Sequence, residues 1–157
     1  SASSSRYNDI LFHAAEVNFN RYEAESAGQE GSSVMRDRSM SNGAKSRLGA
    51  SEVGTLTFDI HVPETWAYTL AVEYTDIGFD AAPRLVVNGR SVNGEVRPVE
   101  LDPERAAQRA QDLGTRTSGE HRILRVVTDL RAGDNIIEVR GGKYALDVDY
   151  LEVTPAR

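Results

Sequence analysis

The tetrapeptide Tyr22-Glu23-Ala24-Glu25 sets two carboxylates two residues apart. On an extended strand both project from one face, roughly 6–7 Å apart along the chain. Like charges at that spacing repel, and a hard cation between them removes the repulsion. Calcium suits such a place, because it gathers about six to eight oxygens from carboxylates and backbone carbonyls. A third carboxylate comes from Asp149 in the run Leu146-Asp147-Val148-Asp149-Tyr150-Leu151-Glu152-Val153. Asp149 has the parity of Leu151 and Val153, so its side chain leans toward the apolar side, where an acid needs a partner or a metal. The same three residues also read as surface charges on strand edges, since glutamates on solvated strands are common.

Catalytic chemistry finds little support. The two carboxylates of a glycosidase flank the scissile bond, about 5–5.5 Å apart for retention or about 6.5–9.5 Å for inversion. Glu23 and Glu25 have a plausible separation but project in parallel, and cannot easily grip opposite faces of a sugar. His13, His61 and His121 are scattered, with His61 on the outward parity of its strand. No Gly-x-Ser-x-Gly elbow, His-Glu-x-x-His or phosphate-loop sequence occurs. With no cysteine, thiolate nucleophiles, thiolate metal sites and disulfides are excluded. The chain is expected to be no enzyme and to hold no catalytic residues.

These carboxylates must be positioned by strands. Leu56, Phe58, Ile60 and Val62 share one face with Thr57, Asp59 and His61 opposite, and Pro63 ends the run. Tyr68, Leu70, Val72 and Tyr74 repeat the alternation against Thr69, Ala71 and Glu73. Such alternation predicts half-buried antiparallel strands. Leu85-Val86-Val87 runs into Asn88-Gly89, a hairpin signal because both positions tolerate positive φ. Further strands are expected at Ile123 to Leu130, Ile136 to Arg140 and Ala145 to Val153, the first two joined by a turn over Arg131 to Asn135.

Two stretches depart from that pattern. Asp102-Pro103-Glu104 reads as an N-cap, a proline at N1 and a dipole-matched acid. With Ala106, Ala107, Ala110 and Leu113 behind it and Gly114 as a stop, a short helix is predicted over Pro103 to Leu113. The Gly/Ser/Asn-rich stretch from Gly28 to Gly43 is expected to be a long irregular connection.

The chain of 157 residues fits one domain with a substantial core. Residues 1–7, opening on Ser1-Ala2-Ser3-Ser4-Ser5, read as a linker or leftover segment, and 8–157 as a single domain. Within Asn8 to Asn20, the apolar Ile10, Leu11, Phe12, Val17 and Phe19 suggest packing onto that domain. A formal charge of −6 argues against nucleic acid as partner. No apolar run approaches the roughly 20 residues of a membrane span. No basic-then-apolar leader precedes the domain, so any secretion signal is expected to have been removed or never present.

Five segments in order resemble carbohydrate-binding modules of families 35 and 6, with family 35 nearer. They are Arg21 to Ala27, then Gly54 to Pro63 with Tyr68 to Tyr74, then Arg84 to Gly89, Leu130 to Ile137 and Asp149 to Val153. Each motif alone is weak, but their order is fairly specific, and the resemblance covers roughly Arg21 to Thr154. It implies an all-β fold, a jelly-roll β-sandwich of two antiparallel sheets, here with one short inserted helix. It also implies a structural calcium with Glu23, Glu25 and Asp149 as side-chain ligands, and carbonyl ligands from the loop around Ser39 to Ala44.

The resemblance further implies a sugar site on loops joining the sheets, away from the ion. Its candidates are Asp76 and Phe79, Arg84, and Lys143 with Tyr144. Aromatic faces stack on sugar rings, and a cation such as Arg84 or Lys143 suits a uronate. The implied role is non-catalytic binding of an oligosaccharide or polysaccharide, outside the cell or at its surface, for an attached or partner catalytic domain. The sequence departs from the family where members often carry a tryptophan: between Gly89 and Ile123 it has no Phe, Tyr or Trp. The sole tryptophan, Trp66, stands in a turn where the family commonly has glycine. That departure favours the alternative of a protein-interaction or structural accessory domain that has lost sugar binding.

Overall fold

The alternating residues form strands whose apolar faces meet in one core. In the computed structural model, residues 20–49, 54–76, 81–99, 102–104, 106–107, 121–142 and 144–156 are described. Among them run β1 (Arg21–Glu23), β2 (Gly28–Glu30), β3 (Ser32–Arg36), β4 (Ala44–Leu48), β5 (Thr55–Val62) and β6 (Trp66–Asp76). After these come β7 (Arg84–Val87), β8 (Arg90–Val92), β9 (Glu95–Pro98), β10 (His121–Leu130), β11 (Gly133–Arg140) and β12 (Leu146–Pro155). A 7-stranded sheet has the order β9-β10-β6-β12-β4-β3, with β1 also on β12, and a 5-stranded sheet the order β2-β5-β11-β7-β8. All the pairings are antiparallel. The fold is the expected all-β, jelly-roll sandwich.

Leu56, Phe58, Ile60 and Val62 of β5, with Ile137 and Val139 of β11, face Leu70, Val72 and Tyr74 of β6 and Leu146, Val148, Leu151 and Val153 of β12. Each such side chain contributes about 1.5–3 kcal/mol by leaving water. On β5 the opposite face is solvated, with Asp59 and His61 exposed, as alternation requires. On β6 it is not: Ala71, Glu73 and Thr75 are buried as well. A central strand covered on both faces replaces the half-buried strand expected there.

Asn88 and Gly89 have φ of 49° and 83° and close the β7–β8 hairpin with Val87 opposite Arg90. Asn135, fully buried, holds the neighbouring turn: its Nδ2 donates to the carbonyls of Arg131 and Gly133, and its Oδ1 accepts from Asn88 Nδ2.

Three expectations are corrected. Gly28 to Gly43 is not an irregular connection, because β2 and β3 fill half of it. The strand through Tyr22 ends at Glu23, and Ala24–Ser26 is a 3-10 turn, so Glu23 and Glu25 do not alternate on one strand. The parity of Asp149 is interrupted, because β12 pairs Val148 with Tyr74 and Tyr150 with Glu73, leaving Asp149 as the extra residue of a bulge. The bulge lets Val148 and Leu151 both face the core at an odd spacing. Helical backbone occurs at Pro103, Glu104, Ala106 and Ala107, where Ala106 N–H donates to the Asp102 carbonyl at 2.9 Å. The rest of the helix expected over 103–113 lies outside the described residues, as do residues 1–7 and all of 8–20 except Asn20.

Candidate functional site

The three acids read as metal ligands converge on one loop. Between β3 and β4 the chain doubles back over Asp37 to Gly43: Asp37 N–H donates to the Gly43 carbonyl, Met40 N–H to that of Asp37 and Gly43 N–H to that of Met40, each at 3.0 Å. Asn42 sits in the left-handed region at φ 56°, which aims Ser41 and Asn42 at the carboxylates. Ser41 Oγ donates to Glu23 Oε2 at 2.7 Å, and Asn42 Nδ2 to Glu25 Oε2 at 3.0 Å. The Ser41 backbone N–H reaches both oxygens of Asp149, at 3.0 and 3.1 Å. Thus β1, the following turn, the β12 bulge and one loop each contribute a polar group to the same place.

Among the described residues, two oxygens there have no hydrogen-bond partner: Oε1 of Glu23 and Oε1 of Glu25, both buried. Burial, with the neighbouring Glu25 charge, pushes the Glu23 carboxyl above its ordinary pKa, against the Ser41 hydrogen bond that pulls it down. The nearby Arg21 charge offsets this only in part, and its Nε and Nη2 bind Glu152 Oε2 at 3.0 and 2.7 Å. The donor set is made of hard oxygens and carries excess negative charge. It fits a calcium ion.

Asp149 touches a second cluster that periodicity did not reveal. A carboxylate oxygen of Asp149, one of Glu73 and a ring nitrogen of His121 lie within 4.8 Å of one another, all buried. His121 Nε2 is 2.5 Å from Glu73 Oε1, and its Nδ1 is 3.4 Å from Thr75 Oγ1. Burial, with the Glu73 carboxylate beside it, holds the Tyr150 phenol far above its ordinary pKa. The Arg21 guanidinium lies 4.0 Å from the centre of the Tyr150 ring. Finding this cluster needs the register of β6 and β10, which sets His121 opposite Thr75.

A buried ionic network lies alongside, also unforeseen. Lys45 Nζ is 3.0 Å from Asp37 Oδ2 and 2.8 Å from Asp147 Oδ2, and Arg47 grips Asp147 through Nε and Nη2 at 2.7 and 3.0 Å. Burial acts against the Asp37 charge, but hydrogen bonds from Ser39 and Lys45 outweigh it and hold that pKa below the usual aspartate value. The Asp37-x-Ser39 spacing was the legible signal, since Asp37 Oδ1 accepts from both the backbone N–H and the hydroxyl of Ser39.

The described sugar-site candidates, Asp76, Arg84 and Tyr144, share one end of the sandwich. Asp76 ends β6 opposite Leu146, and Arg84 opens β7 opposite Arg140. Arg84 is exposed and Tyr144 half-buried. Asp76 is buried, 3.3 Å from Arg122 Nε, so it positions an arginine there instead of facing open solvent. Phe79 and Lys143 lie outside the described residues.

At the opposite end, where β5 turns into β6 and β12 finishes, a groove of about 630 Å³ opens beside Trp66. Tyr22, Tyr68, His61 and Glu64 are among its walls.

No family model matches the sequence, and no curated protein matches it. Solved structures do. A native family 35 carbohydrate-binding module from Clostridium thermocellum superposes with a TM-score of 0.62 at 22% identity, over 87% of this chain and 97% of that one. The β-(1,4)-mannanase of Podospora anserina, which joins a family 26 glycoside hydrolase to a family 35 module, gives 0.63 at 21% identity, over 87% of this chain and 27% of that one. A cycloisomaltooligosaccharide glucanotransferase of Paenibacillus sp. gives 0.60 at 22%, over 84% of this chain and 18% of that one. The chain therefore spans a small part of those enzymes and nearly all of the isolated module.

Proposed function

We propose, from the fold shared with family 35 carbohydrate-binding modules, that this chain is a non-catalytic module that binds glycans. The observation that carries the reading is the pattern of coverage: an isolated module is matched nearly end to end, whereas two enzymes are matched over 27% and 18% of their lengths. In this reading the chain anchors an attached or partner catalytic domain to a polysaccharide, outside the cell or at its surface.

A calcium ion belongs to the same proposal. Glu23, Glu25 and Asp149 would hold it through carboxylate oxygens, and the two partnerless Oε1 atoms support that assignment. Bound there, the ion would supply charge neutralisation and cross-link β1 to the β12 bulge. At the loop end, Arg84 and Tyr144 would contact sugar, with Phe79 and Lys143 as further candidates from the sequence, and the exposed Arg84 cation suits a uronate.

The test is calorimetric titration of the calcium-loaded protein with neutral and uronic-acid oligosaccharides. Saturable binding to any of them supports the module. A flat response across the whole panel, from a protein that melts cooperatively, overturns it in favour of an accessory or protein-interaction domain.

A further inference from the structure

We infer that the groove beside Trp66 is a second glycan subsite, selective for neutral sugars. This rests on the carbohydrate-binding reading, but it concerns the end of the sandwich opposite the loop candidates. The Trp66 side chain is unusual in being both exposed, at 56%, and fixed: its indole Nε1 donates to the Ala156 carbonyl at 2.7 Å. A large aromatic surface left in water costs free energy, and holding it in one orientation costs entropy. Both costs are offset where a partner with a flat apolar face lands on the ring, and the C–H face of a pyranose is such a partner.

The surroundings define the partner further. The groove's 630 Å³ falls in the range of about 300–1,000 Å³ usual for small-molecule sites. Tyr68 is held at its rim by an Oη donation to the Glu64 carbonyl at 2.8 Å. Asn20, His61 and Glu64 add groups able to exchange hydrogen bonds with sugar hydroxyls. Among the described residues no lysine or arginine lines the groove, while Glu64 does. His61 is itself committed to Asp134, with Nδ1 3.1 Å from Oδ1. A uronate or other anion would meet a carboxylate without a compensating cation; a neutral ring meets an aromatic platform and polar rim.

Trp66 is the only tryptophan of the chain, so selectively excited tryptophan emission reports on this groove alone. The experiment titrates the whole protein with neutral hexasaccharides of glucose, xylose, mannose and galactose, following tryptophan emission, acrylamide quenching and, in parallel, calorimetric heat. The inference expects a quencher-accessible indole in the free protein and saturable protection by at least one neutral glycan. It expects about tenfold or greater loss of that affinity in Trp66→Ala, partial retention in Trp66→Phe, and no fluorescence response to uronic-acid oligomers. Heat of binding with unchanged emission leaves the module reading intact and overturns this subsite. An indole already shielded in the free protein overturns it too, because the groove is then filled by the chain's own residues. Absence of heat with every glycan removes the module reading and this one with it.

Discussion

The backbone N–H of Ser41 spans 108 residues of sequence to meet both carboxylate oxygens of Asp149, at 3.0 and 3.1 Å. Through Ser41 Oγ the same residue holds Glu23, so one serine spaces two acids that repel. Each acid thus has a donor on one side, and the Oε1 atoms of Glu23 and Glu25 are buried without a hydrogen bond among the described residues.

Calcium at about a hundred times its dissociation constant should stabilise the fold by about 2.7 kcal/mol. In a domain of this size that is a rise of about 5–10 °C in Tm. Thermal melts with calcium and with a chelator measure the shift. Glu25→Gln and Asp149→Asn should each abolish it while leaving glycan affinity nearly unchanged. A shift of the same size in both variants would remove these residues from the site.

Lys45 is the hub of a buried network, and its loss should be severe. Lys45→Met removes the ammonium shared by Asp37 and Asp147, at an expected cost of about 3–5 kcal/mol. Urea denaturation gives the value directly. Lys45→Arg, which keeps the charge in a larger group, should recover part of the loss.

The same network sets an acid limit. The Asp37 pKa is lowered in the folded protein, so its contribution is fully present above the unfolded value of about 4 and is lost as pH falls through the folded value. Stability should therefore be level in this respect at neutral pH and fall in the acid range below about pH 4. Asp37→Asn should cost stability at pH 7 and flatten that acid fall. Melting curves between pH 2 and pH 8 (about the range the linkage covers) separate the two.

Asn135 carries the turn between β10 and β11 and ties it to Asn88. Asn135→Leu would leave the Arg131 and Gly133 carbonyls without this donor and should cost about 1–3 kcal/mol. Hydrogen exchange should show the Ile136 amide, which donates to Asn88 Oδ1 at 2.9 Å, losing protection first.

Alternation located the core faces of β5 and β6 because period two leaves a mark in sequence. It misjudged the far side of β6, because burial of Glu73 and Thr75 depends on what lies over the sheet, and residues 37–43, 121 and 150 are distant in sequence. Glu23 and Glu25 were legible as a pair, although the strand reason given for their proximity was wrong: a 3-10 turn and one loop bring them together. The bulge at Asp149 left no mark, since an extra residue in a strand is visible only against its partner. Trp66 was noticed as misplaced for a loop-end platform, but its pinned orientation depends on Ala156, ninety residues on.

Antiparallel pairing of β1 with β12 sets Tyr22 opposite Leu151 and Glu23 opposite Tyr150, and the Val153 N–H closes on the Asn20 carbonyl at 2.9 Å. Asn20 and Ala156 thus lie at the same end of this strand pair. Pulling on those two points loads the pair as a zipper, one hydrogen bond after another, and not in shear. The seam opens from Asn20 toward Glu23, so the first obstacle to tearing is the knot of acids at Ser41. An ion gripped there would act as a mechanical latch, and its occupancy would decide how much tension the domain bears before β1 peels away.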